Sequence, residues 1–182
     1  RGLGDVYKRQ VIDTGFDFMH PAFRDAEGNS RIVHVWDQSG RNGNTPSMGY
    51  GVVFDTPELI RSAAHDVSRD THGTHVAAIA ASSADVYKGM APESDIVVVA
   101  TDKSESGIID ALAYLLDYAE KEKKPIAINL SMGTVIGFKD GTDPIASMID
   151  ELLDKSGKKC LMAIAAGNEG HRNSTIVTEA TG

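Results

Sequence analysis

Cysteine is almost absent from this sequence, with Cys160 the only one among 182 residues. A single cysteine excludes an intrachain disulfide framework, and it excludes zinc ribbons and iron–sulfur sites, which need several cysteine ligands. The sequence has no apolar run near the roughly 18 residues of a transmembrane helix, and its first ten residues lack the apolar region of a signal peptide. The single cysteine does not identify the redox compartment of the protein.

Basic residues are the minority charge, since 18 Lys and Arg stand against 26 Asp and Glu and give a formal net charge of −8. No block of clustered Lys or Arg is present, so we expect neither nucleic acid nor an anionic membrane surface as a partner. Hydrophobic residues make up 41% of the chain and charged residues 24%, which is typical of a globular protein. The length fits one domain or part of a larger one.

Short apolar segments rich in β-branched residues alternate with helical patterns, as in a parallel sheet buried on both faces. The predicted strands are Val11–Asp13, Arg31–Trp36, Asp95–Ala100, Pro125–Leu130 and Cys160–Ala165. One helix is predicted to begin near His72, and a second is predicted to begin after a cap at Ser106. A third is predicted to begin at Pro144, after the cap Asp143, and to stop at Gly157. The pattern predicts an α/β fold with a doubly wound, mostly parallel sheet and helices on both faces.

A carboxylate follows the first predicted strand, in the segment Val11-Ile12-Asp13-Thr14-Gly15. Open α/β sheets place their sites at the carboxyl ends of their strands, although an aspartate there can also be a simple turn or cap residue. Asp-Thr-Gly occurs in aspartic proteases as well, but these pair two such carboxylates. The sequence has no second copy, and its α/β pattern does not fit that all-β fold.

Two histidines stand three residues apart in Asp70-Thr71-His72-Gly73-Thr74-His75, where a loop is predicted to become a helix. The small residues that follow predict a helix packed tightly inside the fold, with His72 presented at the sheet edge. The two histidines could instead ligate a metal ion together with His65, or they could be packed structural residues. The zincin pattern His-Glu-x-x-His is absent, because Gly73 occupies the place of the glutamate. We predict that His75 is structural and faces the adjoining core or loop.

Two glycine-containing loops follow the later strands. Ala165-Ala166-Gly167-Asn168-Glu169-Gly170 presents the side-chain amide of Asn168 as a hydrogen-bond donor at the same edge. A phosphate loop is the alternative interpretation, but the Gly-x-Gly-x-x-Gly and Walker patterns are both missing. Ser131, in Asn129-Leu130-Ser131-Met132-Gly133, is not in a Gly-x-Ser-x-Gly elbow and is a poor candidate for a nucleophile.

In chain order, these motifs resemble those of the subtilases, the subtilisin-like serine proteases of peptidase family S8. The matching segments are Asp13 in Val-Ile-Asp-Thr-Gly, His72 in His-Gly-Thr-His-Val-Ala, Asn129-Leu130-Ser131-Met132-Gly133, and Asn168 in Ala-Ala-Gly-Asn-Glu-Gly. The resemblance implies a subtilisin-like fold, with residues 11–182 as the N-terminal portion of a catalytic domain truncated at its C-terminus. It also implies serine endopeptidase activity.

The resemblance implies a role for each matching residue. Asp13 would orient His72, and His72 would be the general base for a serine hydroxyl, in the chain order Asp, His, Ser. Asn168 would donate to the oxyanion, and Ser131-Met132-Gly133 would line the cleft for an extended peptide or protein substrate. The implied reaction proceeds through an acyl-enzyme and requires no cofactor; a structural calcium ion is compatible with the family but has no signal in these residues.

The nucleophile of the implied triad has no match. No serine of this sequence lies in the Gly-Thr-Ser-x-Ala context of the family nucleophile, so we expect the chain to lack it and to be inactive alone. The chain would then be part of a truncated protease or of a catalytically dead pseudoprotease that acts as a binding or signalling module. A metal-dependent hydrolase that uses His65, His72 and His75 is the alternative from another class.

The first ten residues depart from the family pattern, because Tyr7-Lys8-Arg9-Gln10 stands where a buried strand is usually apolar. We expect residues 1–10 to be a non-native or disordered leader, and a strand that simply begins at Val11 is the alternative.

One region resembles a particular branch of the family. The segment Pro21-Ala22-Phe23-Arg24, the segment 31–38 and the Gly-rich insertion before the histidine motif are similar to clostridial Csp-type germination proteases, some of which are catalytically dead. A secreted or spore-associated location is what this resemblance implies.

Overall fold

The computed structural model describes residues 8–68, 70–133, 141–157 and 160–169. The strands are β1 (Lys8–Asp13), β2 (Ile32–Asp37), β3 (Val52–Phe54), β4 (Ile96–Ala100), β5 (Ile126–Leu130) and β6 (Cys160–Ile164). The α-helices are α1 (Pro57–Ala63), α2 (His72–Ala81), α3 (Glu105–Glu122) and α4 (Pro144–Lys155), and Pro21–Phe23 forms a short 3-10 helix. In the described part of the chain these six strands make one sheet in the order β3-β2-β4-β1-β5-β6.

The sheet is parallel except for β3, which runs antiparallel to β2 at one edge. Alternate residues of the central strands face opposite sides, as the two-residue period of a strand requires. Ile12, Val97 and Val99 pack in the core that includes α3 and α4, whereas Val11 and Val98 pack in the core that includes α1 and α2. Helices therefore cover both faces, which confirms the predicted doubly wound α/β fold.

Strand β1 begins at Lys8, three residues before the predicted start. Residues 8–10 pair in parallel with β4 and β5, so these three residues are ordered; that residues 1–10 are non-native stays a prediction, and residues 1–7 lie outside the described part. Lys8 is only 5% exposed. Its ammonium donates to the Tyr118 hydroxyl at 2.9 Å and to the Glu122 carboxylate at 3.1 Å. These contacts from α3 compensate for the buried charge, which would otherwise be costly.

The helix ends follow local capping chemistry. Helix α3 is capped by Ser104, whose Oγ accepts the Gly107 N–H at 2.9 Å, so the predicted cap at Ser106 is wrong. Ser104 satisfies one of the unpaired N–H groups of the first turn, and Ser106 is already inside the helix. Asp143 caps α4 as predicted, accepting from the Ile145 N–H at 2.9 Å.

Helix α2 begins at His72 as predicted, but only one of its faces is inside the fold. Ala77 and Ala81 are 1% exposed, whereas Ile79 is 60% exposed. The predicted tight packing inside the fold therefore holds for the face that carries Ala77 and Ala81, and not for the face that carries Ile79. No helix in the described ranges is long and apolar enough to cross a membrane.

Candidate active site

The centre of the candidate site is a contact between Asp13, the last residue of β1, and His72, the first residue of α2. The His72 Nδ1 lies 2.8 Å from the Asp13 Oδ1. The carboxylate is buried, with 1% of its side chain exposed, whereas 49% of the imidazole is exposed. Because an ionised carboxylate only accepts hydrogen bonds, this contact makes Nδ1 the protonated nitrogen and leaves Nε2 available to a ligand.

The turn that follows β1 connects the carboxylate to the helix that carries the imidazole. Thr14 donates its backbone N–H to the Asp13 Oδ1 at 2.7 Å. The carbonyl of Thr14 accepts the Gly73 N–H at 2.8 Å, and the carbonyl of Gly15 accepts the Thr74 N–H at 3.0 Å. The first N–H groups of a helix have no partner within the helix. Here the turn supplies carbonyls to two of them, and this holds the start of α2 against the end of β1.

Two glycines permit this close approach. Gly15 has φ of +82°, and a Cβ there would lie 2.5 Å from the Asp70 carbonyl carbon. A Cβ at Gly73 would lie 2.8 Å from ring atoms of Phe16. Both distances are shorter than any normal carbon contact. Glycine at these positions therefore lets the turn after β1 lie directly against the loop and helix around His72.

A second buried carboxylate, Asp66, lies on the other side of the same turn. Its Oδ2 accepts the Gly15 N–H at 2.7 Å and its Oδ1 accepts the Phe16 N–H at 3.2 Å. Burial raises the pKa of Asp66, the two N–H groups oppose that shift, and the charge of Asp37 adds to it. The carboxylate is 2% exposed, so both of its oxygens are used inside the protein.

The remaining residues assigned to the site lie at the same edge of the sheet. The segment Ser131-Met132-Gly133 directly follows β5, and Asn168 follows β6. A Cβ on Gly133 would lie 3.3 Å from the Cα of Gly167, so the two loops are adjacent. Since β5 separates β1 from β6, the strand that precedes Asn168 is two strand spacings, or roughly 10 Å, across the sheet from the strand that ends at Asp13.

The other histidines near the site do not gather around a common point. His65 Nδ1 contacts the backbone carbonyl of Asp66 at 2.6 Å, and His75 is exposed and not buried in the core; its structural role stays a prediction. In the described ranges no group of three or more His, Cys, Asp or Glu side chains is arranged to hold a metal ion. The ligand set of His65, His72 and His75 is therefore not assembled here.

Sequence reasoning did not identify Asp66 or Thr74 as parts of this arrangement. The Thr74 hydroxyl donates to the Gly15 carbonyl at 3.0 Å and accepts the Asp17 N–H at 2.8 Å. An aspartate in a loop and a threonine in the first turn of a helix are common, and neither carries a pattern. The one available signal for Thr74 was its place within the His-Gly-Thr-His motif.

The match to a family model covers nearly the whole chain. The model described as the subtilase family, Peptidase_S8, matches residues 10–181. The chain is 29% identical over 178 residues to the subtilisin-like protease PopC of Myxococcus xanthus, covering 88% of this chain and 33% of that protein. It is also 29% identical over 165 residues to the thermophilic serine proteinase of Bacillus sp. strain AK1, covering 88% of this chain and 32% of that protein.

A solved structure shows the same architecture. The CspB protease of Clostridium perfringens superposes with a TM-score of 0.72 at 28% identity, covering 91% of this chain and 37% of that chain. The chain thus spans about a third of the length of each of these three relatives.

Proposed function

Because the chain belongs to the subtilase family, we propose that it carries the Asp–His part of the catalytic machinery of a serine endopeptidase. The observation that supports this most directly is the 2.8 Å contact between His72 Nδ1 and the buried Asp13 carboxylate. It is the arrangement that a general base and its orienting carboxylate require. Peptide or protein substrates follow from the protease family.

In the proposed reaction, Asp13 fixes the imidazole with Nδ1 protonated, so that Nε2 can take the proton of a serine hydroxyl. The serine oxygen then attacks the carbonyl carbon of the peptide bond. His72 passes the same proton to the departing amine, which leaves an acyl-enzyme. Water, deprotonated by the same nitrogen, releases the acid. The buried carboxylate stabilises the transient imidazolium, since the two opposite charges lie 2.8 Å apart.

The proposal gives Asn168 the role of oxyanion donor and Ser131-Met132-Gly133 the role of a strand-like binding edge for an extended substrate. Support for this comes from the shared sheet edge and from the approach of Gly133 to Gly167. The nucleophilic serine would come from a part of the protein outside residues 1–182, because no serine within them has the family context.

The test uses the natural polypeptide that contains residues 1–182, an unfolded protein substrate and a serine-reactive fluorophosphonate. We expect cleavage that the phosphonate blocks, with the label on a serine outside these residues. His72→Ala should abolish both cleavage and labelling. His75→Ala is the matched control, because it removes an exposed histidine from the same helix, and it should preserve both.

The outcomes separate the proposal from its alternatives. A natural polypeptide that is folded but neither cleaves nor becomes labelled would favour the pseudoprotease, whose role is to bind rather than to hydrolyse. Cleavage by residues 1–182 alone, with the label on Ser131, would show that the nucleophile lies within this chain and contradict its placement outside residues 1–182.

A further inference from the structure

Asp66 is distant in sequence from Asp13, yet it is hydrogen-bonded to the segment that follows Asp13. Its two oxygens accept the N–H groups of Gly15 and Phe16, the second and third residues after Asp13. In return, its own backbone N–H donates to the Phe16 carbonyl at 3.2 Å. The loop that carries Asp66 and the segment after β1 are therefore joined by three hydrogen bonds at one place.

The turn held by Asp66 is the same one that fixes both partners of the Asp13–His72 contact. On one side, the Thr14 N–H donates to the Asp13 carboxylate at 2.7 Å. On the other side, the carbonyls of Thr14 and Gly15 hold the first turn of α2 through Gly73 and Thr74. A displacement of this turn would therefore move the carboxylate and the imidazole relative to each other.

Asp66 is one of three residues that restrain Gly15, together with Thr74 and Asp70. The carbonyl of Gly15 is bound by Thr74, and its Cα lies so close to Asp70 that no side chain would fit. The Asp66 carboxylate supplies the remaining restraint on its N–H. Charge-assisted hydrogen bonds of this kind are about twice as strong as those between neutral groups, and a buried one is not weakened by solvent.

We infer that Asp66 is a positioning residue for the proposed reaction: its carboxylate fixes the turn of residues 14–16 and thereby holds Asp13 and His72 at hydrogen-bond distance. The catalytic consequence of this inference rests on the proposed function, whereas the hydrogen bonds that hold the turn do not depend on it. Asp66 touches neither the imidazole nor the Asp13 carboxylate in the contacts described, so it acts through the turn.

The chain offers a matched control in Asp37. This carboxylate is also buried, at 4% exposed, and it also accepts two backbone N–H groups, from Ser39 at 3.0 Å and Val67 at 3.2 Å. Asp37 makes no hydrogen bond to the turn of residues 14–16 among the described residues, but its bond to Val67 holds the loop that carries Asp66. Asp37→Asn therefore disturbs that loop while it leaves the hydrogen bonds between Asp66 and the turn in place. Asn at either position keeps the side-chain volume but replaces one acceptor oxygen by a donor group.

The experiment compares Asp66→Asn and Asp37→Asn in the natural polypeptide that contains this chain. The first readout is the downfield proton NMR signal of the His72 Nδ1–H, which reports its hydrogen bond to Asp13 whether or not peptides are cleaved. We expect Asp66→Asn to shift this signal upfield or to remove it, and Asp37→Asn to leave it in place. The second readout is peptidase kinetics, where Asp66→Asn should lower kcat at least tenfold with KM changed less than twofold.

The free energy of unfolding is measured for both variants to separate positioning from stability. Equal loss of stability with unequal effects on the NMR signal supports the inference. A wild-type signal in folded Asp66→Asn, or the same loss of signal in Asp37→Asn, overturns the inference.

If Asp66→Asn does not fold, Asp66→Glu takes its place, since it keeps the charge but displaces the carboxylate by one methylene. A wild-type signal and a wild-type kcat in Asp66→Glu also overturn the inference. If the wild type shows the signal but cleaves nothing, the proposed function fails and the positioning role is still decided by NMR.

Discussion

The Nε2 of His34 lies 2.6 Å from the hydroxyl oxygen of Tyr114, in the interior between β2 and α3. The His34 ring also packs against Tyr118, with ring centroids 4.6 Å apart. Burial lowers the pKa of His34 to about 4, and the nearby charge of Lys8 acts in the same direction, while Asp55 and Glu122 oppose it. The neutral imidazole is therefore part of the native packing.

The free energy of unfolding should fall as the pH is lowered from about 6.5 towards 4. His34 binds a proton near pH 6.5 in the unfolded chain but only near pH 4 in the folded one, so the unfolded state takes up more protons in that window. Between pH 7 and 5 the loss should be about 2 kcal/mol. Chemical denaturation at a series of pH values measures it.

His34→Gln is the control for this pH dependence, because glutamine can still bond to the Tyr114 hydroxyl but does not titrate. The difference between wild type and variant isolates the histidine from Asp37 and Asp66, whose pKa values burial raises and whose contributions therefore have the opposite sign. A variant with the same pH dependence as the wild type would show that His34 is not responsible.

Gly15→Ala should destabilise the protein by roughly 2–4 kcal/mol. The alanine would be forced into φ of +82°, and its Cβ would overlap the backbone of Asp70, so strain and displacement add. Gly28→Ala is the matched control: Gly28 has φ of +87°, but no atom lies within 4 Å of the added Cβ. Gly28→Ala should lower the free energy of unfolding by only about 1 kcal/mol. Equal losses in the two variants would contradict the close approach described at Gly15.

Asp13→Asn should lower kcat by about 10⁴-fold while KM changes little, because the asparagine amide favours the wrong imidazole tautomer. The measurement is peptidase kinetics of the natural polypeptide against the same protein substrate. A variant within tenfold of wild type would mean that Asp13 does not orient the catalytic base.

Asn168→Ala should lower kcat by about 10²–10³-fold with little change in KM, since an oxyanion donor acts on the transition state and not on the bound substrate. Asn168→Asp separates the effect of losing the amide donor from the effect of losing side-chain volume, because aspartate keeps the shape of asparagine but has no amide donor. If Asn168→Asp were as active as wild type, the oxyanion role would be lost.

Sequence periodicity predicted the central strands well, because β4 is a continuous apolar run of the kind that central parallel strands require and β5 is apolar except for Asn129. It missed β3, which is only three residues long and follows a Gly-rich loop. It also started β1 too late, since Lys8 and Gln10 are polar. The partners that make Lys8 acceptable, Tyr118 and Glu122, lie on a helix distant in sequence.

At the candidate site, position at a strand end and the family motifs together indicated Asp13 and His72. Neither could indicate Asp66, because its importance comes from two backbone N–H groups about fifty residues earlier in the chain. A residue that binds backbone atoms distant in sequence leaves no local pattern, unlike a helix cap such as Asp143, so its role is seen only in the tertiary structure.

The place of β1 in the sheet has a consequence for the timing of biosynthesis. Val11 pairs with Val98 on one side and with Asn129 on the other, so β1 leaves the ribosome long before either neighbour. At about 5–20 residues per second, its second neighbour emerges roughly 6–24 s later. Both hydrogen-bonding edges of β1 are open to other chains until β4 emerges, and one edge stays open until β5 follows. The nascent protein should therefore depend on chaperones during this interval, and its refolding from denaturant should be slow compared with that of a helical bundle.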